Sequence, residues 1–136
     1  MRWTMSVKVT RIEGGKFKAE VDGFEVLSGR IDDENPPVGM SPGRLMVASL
    51  GLCSAFHAAS YLRRNRIEAN DLVLNVEAKN EEGPRRASEL RITVEVGAEL
   101  SAEQVEGLLA ELRRCYVGNT LRSGPKIGYE VKTGSS

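Results

Sequence analysis

Cys53, Cys115 and His57 are the only thiols and the only imidazole in this 136-residue sequence. Ser49, Cys53, His57 and Ser60 follow one another at spacings of four, four and three. On a helix these intervals fall on one face, with the Cβ atoms of Cys53 and His57 about 5–6 Å apart. A neighbouring imidazolium is one of the ways a protein lowers a thiol pKa, so the stripe could support thiolate chemistry. A plainer reading competes with it. A free cysteine often packs as a small hydrophobe, a single histidine is commonly structural, and helix serines bond back to carbonyls. Two Cys and one His cannot supply a four-ligand zinc site within one chain, and no CxxC spacing is present, so no metal is expected.

The helix that must carry this stripe is well marked. Ser41 can cap it and Pro42 suits its first turn. The stretch from Leu45 to Leu62 is apolar nearly all round, the mark of a helix buried on most sides. The basic run Arg63, Arg64, Arg66 suits its C-terminus. Cys53 lies about three turns beyond Pro42, and the helix dipole acts only within the first turn. Activation would therefore come from other side chains, and Arg30, Arg44 and Lys16 are available cations. Cys115 follows a second helix. Ser101-Ala102-Glu103-Gln104 is a capping-box pattern, and Val105, Leu108, Leu109 and Leu112 continue at helical spacing. Cys115 is thus expected near that helix's end.

The remaining pattern is strand-like. Ser6–Ile12, Lys16–Val21 and Phe24–Leu27 alternate around Gly14-Gly15 and Asp22-Gly23, both hairpin signals. Arg30–Gly39 is the longest irregular stretch, where function often resides. Leu72–Ala78 and Leu90–Val96 flank a turn at Glu82-Gly83-Pro84, and Ile127–Val131 reads as a last short strand. The order βββ-α-ββ-α-β describes an α+β protein with antiparallel strands, of a length suited to one domain over residues 1–136. Apolar residues make up 40% of the chain but aromatics only 5%, so the core must be aliphatic. A chain of this size buries roughly two-thirds of its unfolded surface, and a dimer interface would add to that. Zero formal charge gives no reason to expect nucleic acid or an anionic membrane as a partner. The opening Met1-Arg2-Trp3-Thr4 has no leader-like apolar core, and no apolar run looks long enough to cross a bilayer. A cytoplasmic location is expected, where a permanent disulfide is disfavoured.

Two segments resemble a known family. Ser41-Pro42, Leu45 and the run Ala48-Ser49-Leu50-Gly51-Leu52-Cys53-Ser54-Ala55 are similar to the first-cysteine helix of OsmC/Ohr-like proteins. Arg114-Cys115-Tyr116-Val117-Gly118-Asn119-Thr120-Leu121 resembles their second-cysteine motif. The resemblance spans essentially the whole chain and is greatest to the YhfA-like branch. It implies antiparallel sheets wrapped around two central helices in an intertwined homodimer. It implies a thiol-dependent peroxidase acting on organic hydroperoxides, and more weakly on hydrogen peroxide. Cys53 would be the peroxidatic thiolate and Cys115 the resolving thiol, the two forming a disulfide in turnover. An external dithiol would be the reductant, with no bound cofactor. Arg30 would stabilise the thiolate, His57, Ser49 and Arg44 would tune it, and Lys16 stands where one branch places its arginine.

The sequence departs from the family at one point. The family's glutamate follows the Pro of the first motif by one or two residues, where this chain has Gly43 and Arg44. Asp32, Asp33 and Glu34 are the nearby carboxylates that could substitute. The departure gives weight to a rival, a non-catalytic dimer of the same fold that binds a small apolar or thiol-reactive ligand. A second rival is a structural domain with two inert core cysteines.

Overall fold

The computed structural model describes residues 3–134. Met1 and Arg2, which open the segment read for a leader, lie outside the described residues. The chain divides into two compact units, Met1–Ala48 and Ser49–Ser136.

The first unit is a meander of β1 (Lys8–Glu13), β2 (Gly15–Val21) and β3 (Phe24–Arg30), antiparallel in the order β1-β2-β3. The β2–β3 turn is made by Asp22 and Gly23, at φ 53° and 83°. Both central residues in this left-handed region give the tight turn whose twist matches the strands it joins. Gly39 lets the following loop run against β3, because a Cβ there would stand 2.2 Å from the carbonyl oxygen of Leu27. The Ser28 hydroxyl donates to the Met40 carbonyl (2.7 Å) and pins the same loop. Helix α1 (Pro42–Arg64) then begins, with the Arg44 N–H donating to Ser41 Oγ at 3.3 Å, as a cap requires.

The second unit holds the rest of α1, the hairpin of β4 (Leu72–Glu81) and β5 (Arg86–Val96), and two further helices. Helix α2 (Ala102–Leu112) has the complete capping box that its sequence signals. Gln104 N–H donates to Ser101 Oγ (3.1 Å), and Gln104 Oε1 accepts from Ser101 N–H (2.8 Å). Helix α3 (Tyr116–Ser123) ends at Gly124 in the left-handed conformation. Ala58, Tyr61, Leu62 and Leu108 form the core, packed by Leu72, Val94, Val96, Leu100 and Leu112. Gly51 brings α1 against β4, where a Cβ would already touch Val76 Cγ2 at 3.0 Å.

The fold is mixed α+β with antiparallel sheets, in the order strands, helix, strands, helices. Three details differ from expectation. Cys115 does not end α2. That helix stops at Leu112, and Cys115 is the N-cap of α3, which accounts for the Tyr116–Leu121 segment. The segment Ile127–Val131 is not a strand, and Ile127, Tyr129 and Val131 are all exposed. Alternation marks which side chains would share a face, but a strand also needs an edge that supplies its hydrogen bonds. Finally, α1 is long and apolar enough, by length and composition alone, to cross a bilayer. Buried helices of globular proteins share that composition, and α1 contributes Leu50, Ala58, Tyr61 and Leu62 to the interior.

Candidate active site

The interior face of α1 meets α2 and the α2–α3 junction in a regular ladder. Tyr61 packs on Gly107, where an added Cβ would stand 2.5 Å from Tyr61 Oη. One turn back along α1 and one turn on along α2, His57 meets Glu111 at 2.6 Å. One turn further, Cys53 comes opposite Cys115, close enough for each thiol to act on the other's ionisation. Both cysteines are free. Residues four apart lie one above the other on a helix face, so antiparallel elements offset by whole turns present matched rungs. The sequence stripe is real, and its histidine rung points at a carboxylate on the facing helix.

The two sulfurs have different surroundings. Cys115 is 1% exposed, whereas Cys53 is half-buried. Cys115 Sγ accepts from the Gly118 N–H at 3.4 Å, and the buried Ser54 hydroxyl lies 4.0 Å away. Burial raises the Cys115 pKa. The Cys53 thiol, the Gly118 N–H and the Ser54 hydroxyl oppose burial and leave Cys115 below its ordinary value. Burial raises Cys53, as does the neighbouring Cys115, against smaller opposing effects of the Val117 and Tyr116 N–H groups. Of the two sulfurs, Cys115 is thus the one whose surroundings favour the thiolate. His57 itself binds Glu111, and N–H groups in the first turn of α3 act on both sulfurs.

Glu111 is the residue that sequence reasoning missed. It is 6% exposed, yet it bonds to His57 Nδ1 and to Arg64 NH2 (2.7 Å), with Arg114 at 3.7 Å. Hydrogen bonds from His57 and then Arg64 bring its pKa down to about 2. A buried carboxylate is stable only when paired in this way. The signal available beforehand was its place between Leu108 and Leu112 on the apolar side of an amphipathic helix. Arg64 also donates to Ser60 Oγ at 2.9 Å, which joins the last serine of the stripe to the network.

The other expected residues are placed as follows. Ser49 is half-buried on α1. Lys16 lies on β2 opposite Gly29. Arg30 ends β3 and pairs with Asp33 at 3.4 Å. Arg44 sits in the first turn of α1, its guanidinium donating to Ser41 Oγ at 3.2 Å. Of the carboxylates near Arg30, Asp32 shapes its loop, accepting from the Asn35 side chain and from the N–H groups of Glu34 and Asn35. Those bonds, the Asn35 side chain first, lower its pKa.

The chain's relationships agree with this architecture. A family model described as OsmC-like protein matches residues 32–130. No curated protein matches the sequence. An OsmC-like protein from Mycoplasma pneumoniae is similar in structure, with a TM-score of 0.74 at 19% identity over 91% of each chain. An organic hydroperoxide resistance protein from Elizabethkingia anophelis gives 0.62 at 14% identity, covering 91% of this chain and 93% of its own. The organic hydroperoxide resistance protein OsmC from Legionella pneumophila gives 0.55 at 18% identity, covering 88% and 90%. With well over half its length matched by that family model, the chain belongs to the OsmC-like family.

Proposed function

We propose that the protein is a thiol-dependent peroxidase that reduces organic hydroperoxides, and hydrogen peroxide more weakly, in defence against oxidative stress. The observation that carries this reading is the juxtaposition of Cys53 and Cys115, a half-buried cysteine beside a fully buried one. Family membership and relatives named for hydroperoxide resistance support it.

In this reading the dithiol reacts in its singly ionised form: the Cys53 sulfur attacks the terminal peroxide oxygen, and the one proton of the pair stays on Cys115. The O–O bond breaks, and the departing alkoxide takes up a proton to leave as an alcohol. Cys53 is now a sulfenic acid. The Cys115 thiol attacks it, water leaves and a disulfide forms, which an external dithiol then reduces. No bound cofactor takes part. Ser49 stands one turn before the thiol on α1.

The protein would work as a cytoplasmic homodimer, each chain a single domain. Leu52 and Phe56, one turn apart on the outer face of α1, are 60% and 73% exposed, and a second copy would cover them. The test is mass spectrometry after one equivalent of cumene hydroperoxide. Wild type should yield a Cys53–Cys115 disulfide, and Cys115→Ser a Cys53 sulfenic acid. Unmodified cysteines in wild type would sink the reading. The raised Cys53 thiol favours a second reading, a non-catalytic dimer that binds a small apolar or thiol-reactive ligand. It predicts slow oxidation with no preference between the two thiols.

A further inference from the structure

When the dithiol reacts in its singly ionised form, reduction of an alkyl hydroperoxide needs one proton more than the two sulfurs hold. The one proton of the pair stays on Cys115 and leaves later as part of water. The alkoxide released when the O–O bond breaks still needs one of its own. Alkoxides are strong bases, so a positioned acid at this step is worth about 10²–10⁴-fold in rate.

The rung next to the thiols has the parts for that task. His57 lies one turn from Cys53 on the same face of α1, with Cβ atoms about 5–6 Å apart. Side chains on a helix lean toward its N-terminus, which carries the His57 ring toward Cys53. Nδ1 is held by Glu111 at 2.6 Å, and Glu111 is held by Arg64 at 2.7 Å. That bond fixes the ring orientation and leaves Nε2 as the nitrogen free to exchange a proton. The His57 side chain is 28% exposed, so solvent can reprotonate it. Glu111 faces His57 and Arg64 from α1 and Arg114 from the turn after its own helix, so the cluster keeps positive charge beside the carboxylate.

We propose that His57 is the general acid that protonates the departing alkoxide, and that Glu111, anchored by Arg64, is the positioning residue that orients its ring. The balance is then complete. The singly ionised dithiol, hydroperoxide and the His57 proton give the disulfide, an alcohol and water, and bulk water returns the proton to His57. This role rests on the peroxidase reading and adds to it the means to reduce substrates whose leaving groups are strongly basic.

The leaving group supplies the test. Reduced wild type, His57→Gln, Glu111→Gln and Cys53→Ser are each mixed with tert-butyl hydroperoxide and with peroxyacetic acid, and loss of thiol is followed by stopped flow. Acetate leaves without protonation; tert-butoxide does not. His57→Gln should slow the alkyl hydroperoxide reaction about 100-fold and the peroxyacid reaction less than about three-fold. Glu111→Gln should show the same selectivity with a smaller loss, about ten-fold, because the ring is misplaced and not removed. Equal losses for both oxidants, or no loss for either, overturn the role of His57. A Glu111→Gln protein that loses both rates equally is only structurally damaged and overturns the positioning role. Cys53→Ser separates the two levels. If it reacts as fast as wild type, or wild type does not react, the peroxidase reading itself fails and this inference falls with it.

Discussion

The two units treat their apolar residues in opposite ways. Between residues 3 and 48 no described side chain is buried, and Val9, Phe24 and Val26 of the meander are all exposed. The second unit holds the whole core and the dithiol, and it buries the charge of Glu111 among partners of its own. The difference separates what one chain can finish alone from what needs cover. The thiol and histidine rungs are made within one unit, where α1 faces α2 and the junction that leads into α3. The cations expected to assist, Lys16 and Arg30, come from the unit without an interior.

The largest effect should come from the exposed face of α1. Replacing Leu52 and Phe56 together by Glu would place two charges in the proposed subunit contact. Light scattering should then show a dimer turned monomer. A wild-type protein that is already monomeric at micromolar concentration would remove the proposed cover. Within the second unit, Gly107→Ala forces a Cβ into the Tyr61 ring. Overpacking of this kind costs about 1–3 kcal/mol, so the urea midpoint should fall at an unchanged slope. An unshifted midpoint would mean that the ladder is looser than its spacing indicates.

Acid should act next, through Glu111. Its folded pKa, about 2, lies below its ordinary value of 4.5. The stability it contributes is present above about pH 4.5 and is lost as the pH falls toward 2. Glu111→Gln should lose stability at neutral pH and lose less on acidification than wild type, as read by denaturation at pH 6 and pH 2.5. A parallel decline would show that other carboxylates dominate. The smallest effect belongs to the first unit. Arg30 and Asp33 form an exposed pair at 3.4 Å, so Asp33→Asn should change stability by no more than about 0.5 kcal/mol. A larger loss would mean that this pair is covered in the assembled protein.

Much was legible beforehand because it depends on neighbours in sequence. The turn at Asp22-Gly23, the capping box at Ser101 and Gln104, and the span of α1 from Ser41 to the basic run are all local events. The stripe of Ser49, Cys53, His57 and Ser60 is local too, since a helix fixes its own faces. The strand expected at Ile127–Val131 failed because alternation is local and strand pairing is not. Cys115 was placed on the wrong side of a helix start because Leu112 ends one helical pattern and Tyr116 begins another with hardly a gap between them.

The sequence by itself determined that one helix face carries a thiol and an imidazole a turn apart, and that a second thiol follows a second helix. Only the tertiary structure decided what each of them meets. It set α1 antiparallel to α2 in a register closed by Gly107 under Tyr61. That register puts Cys115 opposite Cys53 and Glu111 opposite His57. The physical reason is one of range. Helix faces are set by backbone bonds four residues long, whereas the partner of a buried charge is set by side-chain packing between residues more than fifty positions apart.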